Sequence, residues 1–371
     1  MIIAPLLPVA VVAAGTGMTY EEAKARIPDR PIESFWVGDM DRLSEVIQEV
    51  EKGEVTTLCA TPGRRPMVMV TYGEREEVQH VGNFNSAIGA REPEAYMDKA
   101  AREKPVILFV GPVHGQETEA LTGLANLISV METGEDLRGK RQATLRQLGK
   151  KCRLLIIPAG NPDGIARFEP KSLQGMGLDD VRFWGQGTYT DDSFCDWPGC
   201  KRQHPMVGDN VGFLGAYFND AGINPMHDEF MAPMGPEAPA ILRVAMDEGP
   251  DMAVSLHSHS NAPVVLRPSY VTTEIQEELR EFSATYNTLM EERDLPHGGL
   301  FSVDTEGGEN PAPFNLTSAM YHVSGAAAFT FECPHGLADE NACNMSQEQI
   351  LDIQLGLYEA MIRWTLDAKS K

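Results

Sequence analysis

Apolar runs alternate with amphipathic stretches through most of the chain. Continuous apolar runs are typical of strands buried on both faces, and apolar residues that recur every three or four positions are typical of helices. Strands that alternate with helices in this way indicate an α/β fold, in which a largely parallel sheet is covered by helices on both faces. The predicted strands are VTTLCAT, PMVMVTYG, PVILFVG, RLLIIPAG, DMAVSLH and AAFTFECP, and the predicted helices cover about residues 117–131, 236–249, 271–293 and 347–367.

Residues 167–230 break this alternation. The stretch is rich in glycine, aspartate and aromatic residues, and it shows neither a helical nor a strand period. Loops of this length inside compact domains are usually functional or disordered. We therefore expect residues 167–230 to shape the rim of a pocket formed by the rest of the chain.

The beginning of the chain has a different character. Residues 21–53 are polar and helix-like, with Asp41 as the predicted N-cap of a helix and Gly53 as its end. Residues 1–15 are apolar, but they lack the basic start of a signal peptide and contain prolines. They indicate a buried or irregular N-terminus, with a cryptic export signal as the alternative.

Composition and charge narrow the class of protein. Hydrophobic residues make up 42% and charged residues 23% of the 371 positions, as in folded, water-soluble chains. The net charge of −23 disfavours nucleic acid and anionic membranes as partners. No apolar run approaches the roughly 20 residues that cross a bilayer, so the sequence excludes an integral membrane protein.

The cysteine content favours a cytoplasmic location. Six cysteines in a chain of this length are far fewer than a disulfide-based fold requires. Only Cys195 and Cys200 lie close together in sequence, and the sequence leaves open whether they are bridged. It predicts no particular oligomeric state.

Polar side chains gather where three predicted strands end. PVILFVG runs into GPVHGQE, which contains His114 and Glu117, whereas DMAVSL ends at His257 and AAFTF ends at Glu332. Because ligands bind outside the carboxyl ends of strands in open parallel sheets, we expect these residues at one site. Two imidazoles and one carboxylate are a ligand set of catalytic zinc centres, which keep the fourth position for water.

Each of these residues also has a purely structural interpretation. His114 and His257 can be polar residues that hydrogen-bond to the backbone at a strand end. Glu117 can be an acidic residue of the kind that stabilises the first turn of a helix. Glu332 can be a solvated charge at the edge of the sheet. The four residues nevertheless occur together at one predicted edge of the sheet. Their joint occurrence favours the metal site.

Five motifs, in this order, resemble those of the zinc carboxypeptidase family, the carboxypeptidase A-like metallopeptidases. They are GRRPMVMV, GPVHGQE, IIPAGNPDG, VSLHSHS and FTFE, and the similarity covers about residues 63–371. The resemblance implies an α/β domain with a central mixed, mostly parallel sheet of about eight strands and helices on both faces. It divides the chain into an N-terminal segment with a helical appendage, residues 1–53, and a catalytic domain, residues 54–371.

The resemblance also implies residue roles. His114, Glu117 and His257 would bind one zinc ion, and Glu332 would be the general base toward a zinc-bound water. Zinc lowers the pKa of bound water toward about 7, and a nearby carboxylate passes the proton to the leaving amine. His259 takes the place of a common family tyrosine and is expected to line the pocket.

The chain departs from the family pattern at the substrate clamp. The Asn-Arg pair that grips a terminal carboxylate in the family is replaced by Met226-His227 in GINPMHDEF. These side chains cannot reproduce bidentate recognition by a guanidinium group. We expect His227 to hold an anionic group when protonated, with an ordinary polar loop position as the alternative. Asn224 stands where the family often has an acid that orients the first histidine, so we expect it to bond His114.

Two further assignments follow from the resemblance. An arginine that stabilises the oxyanion is expected after NPDG, with Arg182 as the first choice and Arg167 and Arg202 as alternatives. Glu237 resembles the acid that opens the helix before the third-ligand strand, where a negative charge suits a helix N-terminus.

The resulting hypothesis is a zinc-dependent hydrolase of amide bonds that acts on peptides or small acylated amino compounds. The alternative is a deacylase similar to the aspartoacylase and succinylglutamate desuccinylase branch, which shares the HGxE-type motif. NPDG and FTFE favour the peptidase branch, whereas the missing Asn-Arg pair favours an unusual amidase. A binding protein that has kept the fold without catalysis is a third hypothesis.

Overall fold

The computed structural model describes residues 17–78, 80–303 and 314–370. The apolar N-terminus discussed above, residues 1–15, lies outside these ranges. The strands are β1 (Glu54–Ala60), β2 (Pro66–Tyr72), β3 (Val106–Val110), β4 (Arg153–Ile157), β5 (Gly187–Tyr189), β6 (Val211–Leu214), β7 (Met252–His259), β8 (Val264–Leu266) and β9 (Ala327–Pro334).

Helices connect these strands, and none in the described ranges is long and apolar enough to cross a membrane. The strands and helices that the apolar pattern predicts are present, with ends shifted by a few residues. The α-helices are α1 (Tyr20–Ala25), α2 (Met40–Gln48), α3 (Phe84–Ala90), α4 (Thr118–Thr133), α5 (Ala143–Gly149), α6 (Pro162–Arg167), α7 (Leu178–Val181), α8 (Glu237–Glu248), α9 (Thr273–Glu292), α10 (Leu316–Ser324) and α11 (Gln347–Lys369). A π-helical turn (Arg182–Gln186) follows α7, and short 3-10 turns cover Pro93–Ala95, Lys99–Ala101, Gly199–Arg202 and Pro225–His227.

The main sheet has seven strands in the order β1-β2-β4-β3-β7-β9-β8. Strands β4, β3, β7 and β9 run parallel to one another, whereas β1, β2 and β8 run antiparallel to their neighbours. The expected fold class, a mixed and mostly parallel sheet, is confirmed. The described sheet has one strand fewer than the resemblance implies, and β8 contains only three residues.

Helices cover both faces of the sheet because its central strands are apolar on both sides. Every residue of β3 is buried, and alternate side chains point to opposite faces. Ile107 and Phe109 pack in the cluster that includes α4, α9 and α11, whereas Leu108 and Val110 pack in the cluster that includes α3, α8 and α10. This two-layer covering is typical of buried parallel strands.

The N-terminal segment packs against the same core. Phe35 and Leu43 belong to the apolar cluster that contains the buried face of α4. Asp39, and not the predicted Asp41, caps α2, because its side chain accepts a hydrogen bond of 2.7 Å from the Arg42 backbone N–H. The division of the chain into two domains after residue 53 stays a prediction.

Residues 167–230 are largely irregular, as the sequence predicts. The stretch contains α7, the π-helical turn and a separate antiparallel pair, β5–β6. A buried cluster that includes Phe168, Phe183 and Trp184 stabilises it. All six cysteines are free, so Cys195 and Cys200 are not bridged.

Candidate metal centre and pocket

The ends of β3, β7 and β9 bring the predicted site residues together. His114 and Glu117 lie on the turn between β3 and α4, where the Glu117 N–H donates to the His114 carbonyl over 3.0 Å. His257 lies near the end of β7 and is paired in register with Glu332 of β9. The second imidazole and the second carboxylate therefore stand on adjacent positions of neighbouring parallel strands.

The three predicted metal ligands converge on one point. His114 Nδ1 lies 2.9 Å from Glu117 Oε1 and 3.3 Å from His257 Nδ1, and His257 Nδ1 lies 3.0 Å from Glu117 Oε2. Neighbouring ligand atoms of a tetrahedral zinc ion, with bonds of about 2.1 Å, are about 3.4 Å apart. The side chains thus stand close to the separations that zinc requires.

Burial and charge at this cluster also suit a cation. All three side chains are buried, and His114 Nε2 and Glu117 Oε2 have no aligned hydrogen-bond partner in the described part of the chain. Burial opposes ionisation of Glu117, but the two imidazoles outweigh it and lower the pKa of this carboxyl to about 2. Burial lowers the pKa of His114, which favours the neutral imidazole that binds metal. The donor set and its buried carboxylate therefore fit a zinc ion.

Glu332 has the properties of a general base. Glu332 lines the same cavity and is partly buried, and its carboxylate makes no hydrogen bond to a residue that the structure describes. Burial raises the pKa of Glu332 to about 7, with His257 opposing the rise and Glu117 adding to it. A carboxylate with such a pKa can both accept and donate a proton near neutral pH.

One cavity of about 630 Å³ contains the three ligands and Glu332. This volume is in the range of pockets that bind small molecules. Gln116 and Gln186 contribute amide groups to its wall, and Tyr217 contributes a phenol ring. Its apolar lining residues include Leu178, Val181, Trp197, Leu266 and Leu337.

The model of one protein family, described as zinc carboxypeptidase, matches residues 50–350. The chain belongs to the zinc carboxypeptidase family. The resemblance drawn from the five motifs is therefore confirmed, and with it the expectation of a zinc metallopeptidase. No curated protein matches the chain in sequence.

The fold of this zinc carboxypeptidase is similar to those of solved metallo-carboxypeptidases. One from Burkholderia cenocepacia aligns with a TM-score of 0.51 at 17% identity, over 88% of this chain and 68% of that chain. One from Pseudomonas aeruginosa, in complex with (2-guanidinoethylmercapto)succinic acid, aligns with a TM-score of 0.51 at 14% identity, over 89% of this chain and 68% of that chain. At these identities the likeness is evidence for the fold alone.

Met226 and His227 line the cavity of this zinc carboxypeptidase at the expected clamp position. Burial, reinforced by the charge of Lys201, lowers the pKa of His227 to about 3. This lowered pKa favours the neutral imidazole near pH 7. The role of a protonated His227 in holding an anion stays a prediction. His259 also lines the cavity, and its Nε2–H donates to the Ala262 carbonyl over 3.0 Å.

Asn224 does not make the expected bond to His114. Its Oδ1 accepts a hydrogen bond of 3.0 Å from the Met226 N–H and so closes the 3-10 turn that follows. An asparagine that satisfies the backbone two residues ahead is a common turn device, and it takes the acceptor away from the imidazole. The expectation for Asn224 is therefore wrong.

Arg182, the first choice for oxyanion stabilisation, does not line the cavity. Its Nη1 lies 2.8 Å from Asp179 Oδ1, and its Nε lies 3.2 Å from Asp196 Oδ1. Neither Arg167 nor Arg202 is among the lining residues either. The sequence did indicate this ion pair, because Asp179 stands three residues before Arg182 in a helical segment, and side chains at that spacing are neighbours on a helix.

Two cations that the sequence did not single out, Lys201 and Arg267, line the cavity. Lys201 Nζ lies 5.3 Å from the centre of the Trp197 ring, and this ammonium group makes no hydrogen bond or ion pair with a residue in the described ranges. Burial lowers the pKa of Lys201, whereas the carboxylate of Glu332 raises it. No periodic pattern in this irregular segment could have placed the side chain in the pocket.

Proposed function

We propose that this zinc carboxypeptidase hydrolyses an amide bond in a peptide or a small acylated amino compound. One zinc ion is held by His114, Glu117 and His257, and Glu332 is the general base. The observation that carries the proposal is the convergence of three buried ligand atoms, within 4.8 Å of one another, beside Glu332 on the adjoining strand.

A zinc ion held by His114, Glu117 and His257 would lower the pKa of a bound water to about 7 and would polarise a carbonyl group. Glu332 accepts a proton from the attacking water at a carboxylate oxygen and then donates it to the leaving nitrogen. Glu332 must be ionised for the first task and protonated for the second, and its place beside His257 on the neighbouring strand suits both. His257 and Glu117 stay fixed throughout, since both side chains are buried.

The variant Glu332→Gln tests this assignment. Loss of the base should lower kcat by about 10²- to 10⁴-fold, while the zinc content per chain stays that of the wild type. Glu340→Gln is the matched control, because Glu340 is an exposed glutamate that follows β9 and lies outside the cavity lining. Wild-type turnover by Glu332→Gln at full zinc occupancy would falsify the assignment.

An anionic group of the substrate meets Lys201 in this proposal. The guanidinium expected at the clamp is absent, and Lys201 is a cavity cation without a carboxylate partner in the described residues. Its ammonium stays beside the Trp197 ring, a cation–π contact that keeps the charge near the cavity. A lysine offers a point charge where a guanidinium offers a planar fork, so recognition depends on charge more than on shape.

Substrate pairs that differ only in charge test the role of Lys201. For a peptide with a free terminal carboxylate, Lys201→Met should raise KM by about tenfold, since solvent screening keeps the interaction at the lower end of charged hydrogen bonds. For the corresponding carboxamide, KM should not change. Arg202→Met, at the neighbouring position outside the cavity lining, is the control. An equal rise in KM for both substrates would contradict a role of Lys201 in anion recognition.

The deacylase alternative is supported by one observation, the replacement of the clamp pair by Met226 and a neutral His227. A panel of zinc-loaded assays separates the hypotheses. Faster hydrolysis of peptides than of N-acyl amino acids supports the peptidase proposal, and the reverse order supports the deacylase. No hydrolysis of either class at full zinc occupancy would support a binding protein.

A further inference from the structure

The two imidazoles of the candidate metal centre are held in different ways. His257 Nε2 lies 3.0 Å from Ser255 Oγ, so a hydrogen bond fixes the orientation of that ring. His114 Nε2 is buried and has no hydrogen-bond partner among the described residues. Histidines that bind metal almost always donate the second ring N–H to a neighbouring group. The orientation of His114 therefore needs another explanation.

An aromatic ring lies flat against His114. The centroids of the Tyr217 and His114 rings are 3.9 Å apart, and their planes differ by 13°. His257, by contrast, meets His114 edge-on, at 68°. A parallel stack restricts rotation of the imidazole about its Cβ–Cγ bond, because turning the ring would drive it into the phenol face.

The backbone holds Tyr217 in this position from both sides. The N–H of Gly115, next to His114, donates to the Ala216 carbonyl over 2.7 Å. The N–H of Tyr217 itself donates to the Gly185 carbonyl, at the π-helical turn, over 2.8 Å. Ala216, the neighbour of Tyr217, is closely packed here, because a Cβ on Gly164 would lie 2.3 Å from the Ala216 carbonyl oxygen. The stack is thus anchored to the backbone of the turn that carries His114 and Glu117.

We propose that Tyr217 is the positioning residue of the metal centre, and that its stacked ring does for His114 what a hydrogen bond does for His257. The plane of the stack keeps His114 Nδ1 directed at Glu117 and His257, at the separations given above. The inference rests on the proposed zinc site. It adds a residue from the irregular segment 167–230 to a site whose ligands come from the sheet.

Zinc affinity measured on metal-free protein, in competition with a chromophoric chelator, tests the role of Tyr217. Tyr217→Phe keeps the ring and should bind zinc within about twofold of the wild type. Tyr217→Leu removes the ring and should bind zinc about 10- to 100-fold more weakly, as expected when the group that orients a ligand is lost. Trp197→Leu is the control, because Trp197 lines the same cavity but makes no ring contact with a metal ligand.

The outcomes separate the stack from the metal site. If the wild type binds no zinc, the proposed metal site fails and the inference falls with it. If the wild type binds zinc and Tyr217→Leu binds it as tightly, only the stacking role is overturned. If Tyr217→Phe and Tyr217→Leu weakened zinc binding equally, the effect would belong to the hydroxyl group, and the stacking role would also be overturned. Should Tyr217→Leu not fold, judged by thermal unfolding of the metal-free protein, Tyr217→Met takes its place under the same criteria.

Discussion

Glu237 provides a test of how burial changes the pKa of a carboxyl group in this fold. It is the first residue of α8, where a charged glutamate would favour the helix N-terminus. Its side chain is fully buried, however, and Asn219 Nδ2 donates to both carboxyl oxygens, over 3.1 and 3.0 Å. Burial, with the nearby carboxylates of Asp163 and Asp228 adding to it, raises the pKa of Glu237 from its ordinary 4.5 to about 7.

The direction of the pH effect follows from this rise. Since the folded chain binds the proton of Glu237 more tightly than the unfolded chain, the stabilising contribution is complete below pH 4.5 and is lost as the pH rises through about 7. Each tenfold change in proton affinity is worth about 1.4 kcal/mol, so the full loss is of the order of 3 kcal/mol. Glu237→Gln, which stays neutral and can still accept from Asn219, should abolish this loss.

Urea unfolding followed by circular dichroism measures the effect. The free energy of unfolding of the wild type relative to Glu237→Gln should fall by about 3 kcal/mol between about pH 5 and about pH 8.5. Glu274→Gln is the matched control, because Glu274 is an exposed glutamate in the first turn of α9. If Glu237→Gln were less stable than the wild type by the same amount at both pH values, the carboxylate would be ionised throughout and the reasoning from burial would be wrong.

Two further predictions concern residues 167–230. Arg182→Met should leave kcat and KM within about twofold of the wild type and lower the free energy of unfolding by about 1 kcal/mol. The reason is that the Arg182 guanidinium pairs with Asp179 and Asp196 and lies outside the cavity lining. A hundredfold fall in kcat at full zinc occupancy would instead show that Arg182 belongs to the catalytic site. Burial raises the pKa of the Cys195 thiol to about 12 and that of the Cys200 thiol to about 11. Neither thiol should therefore react with a colorimetric thiol reagent until the chain unfolds, and rapid labelling of the folded protein would contradict their burial.

The convergence of the candidate ligands could be predicted because parallel strands have a fixed direction. A continuous apolar run followed by a polar residue marks the carboxyl end of a strand, and such ends lie at one edge of a sheet. The register of β7 and β9 then brings His257 and Glu332 to adjacent positions. The sequence could not exclude an ordinary strand-end role for each residue, and the convergence with His114 and Glu117 in the structure favours the metal centre over it.

The contacts of the irregular segment could not be predicted in the same way. The Asn224 N–H donates to His204 Nε2 and the Tyr217 N–H donates to the Gly185 carbonyl, and such contacts between residues far apart in the chain leave no period in the sequence. Lys201 stands in a short 3-10 turn, which leaves none either. Strand β8 has three residues, too few for an alternating pattern to be recognised. The prediction for Arg182 failed for a different reason. Its place after NPDG suggested a catalytic role, although its spacing of three residues from Asp179 already predicted a local ion pair.

The two parts of the site therefore differ in what holds them in place. The metal ligands stand at the ends of strands joined by a parallel hydrogen-bond ladder, so changes elsewhere on the surface should leave their separations intact. Tyr217 instead depends on a close approach of backbones, since a Cβ on Gly215 would lie 2.2 Å from the Gly185 carbonyl oxygen. A side chain at position 215 would push Tyr217 away from His114 without touching the sheet. Because Lys201 also stands on segment 167–230, we expect substitutions there to alter substrate recognition while metal binding persists, except at Tyr217, where we expect metal binding to weaken.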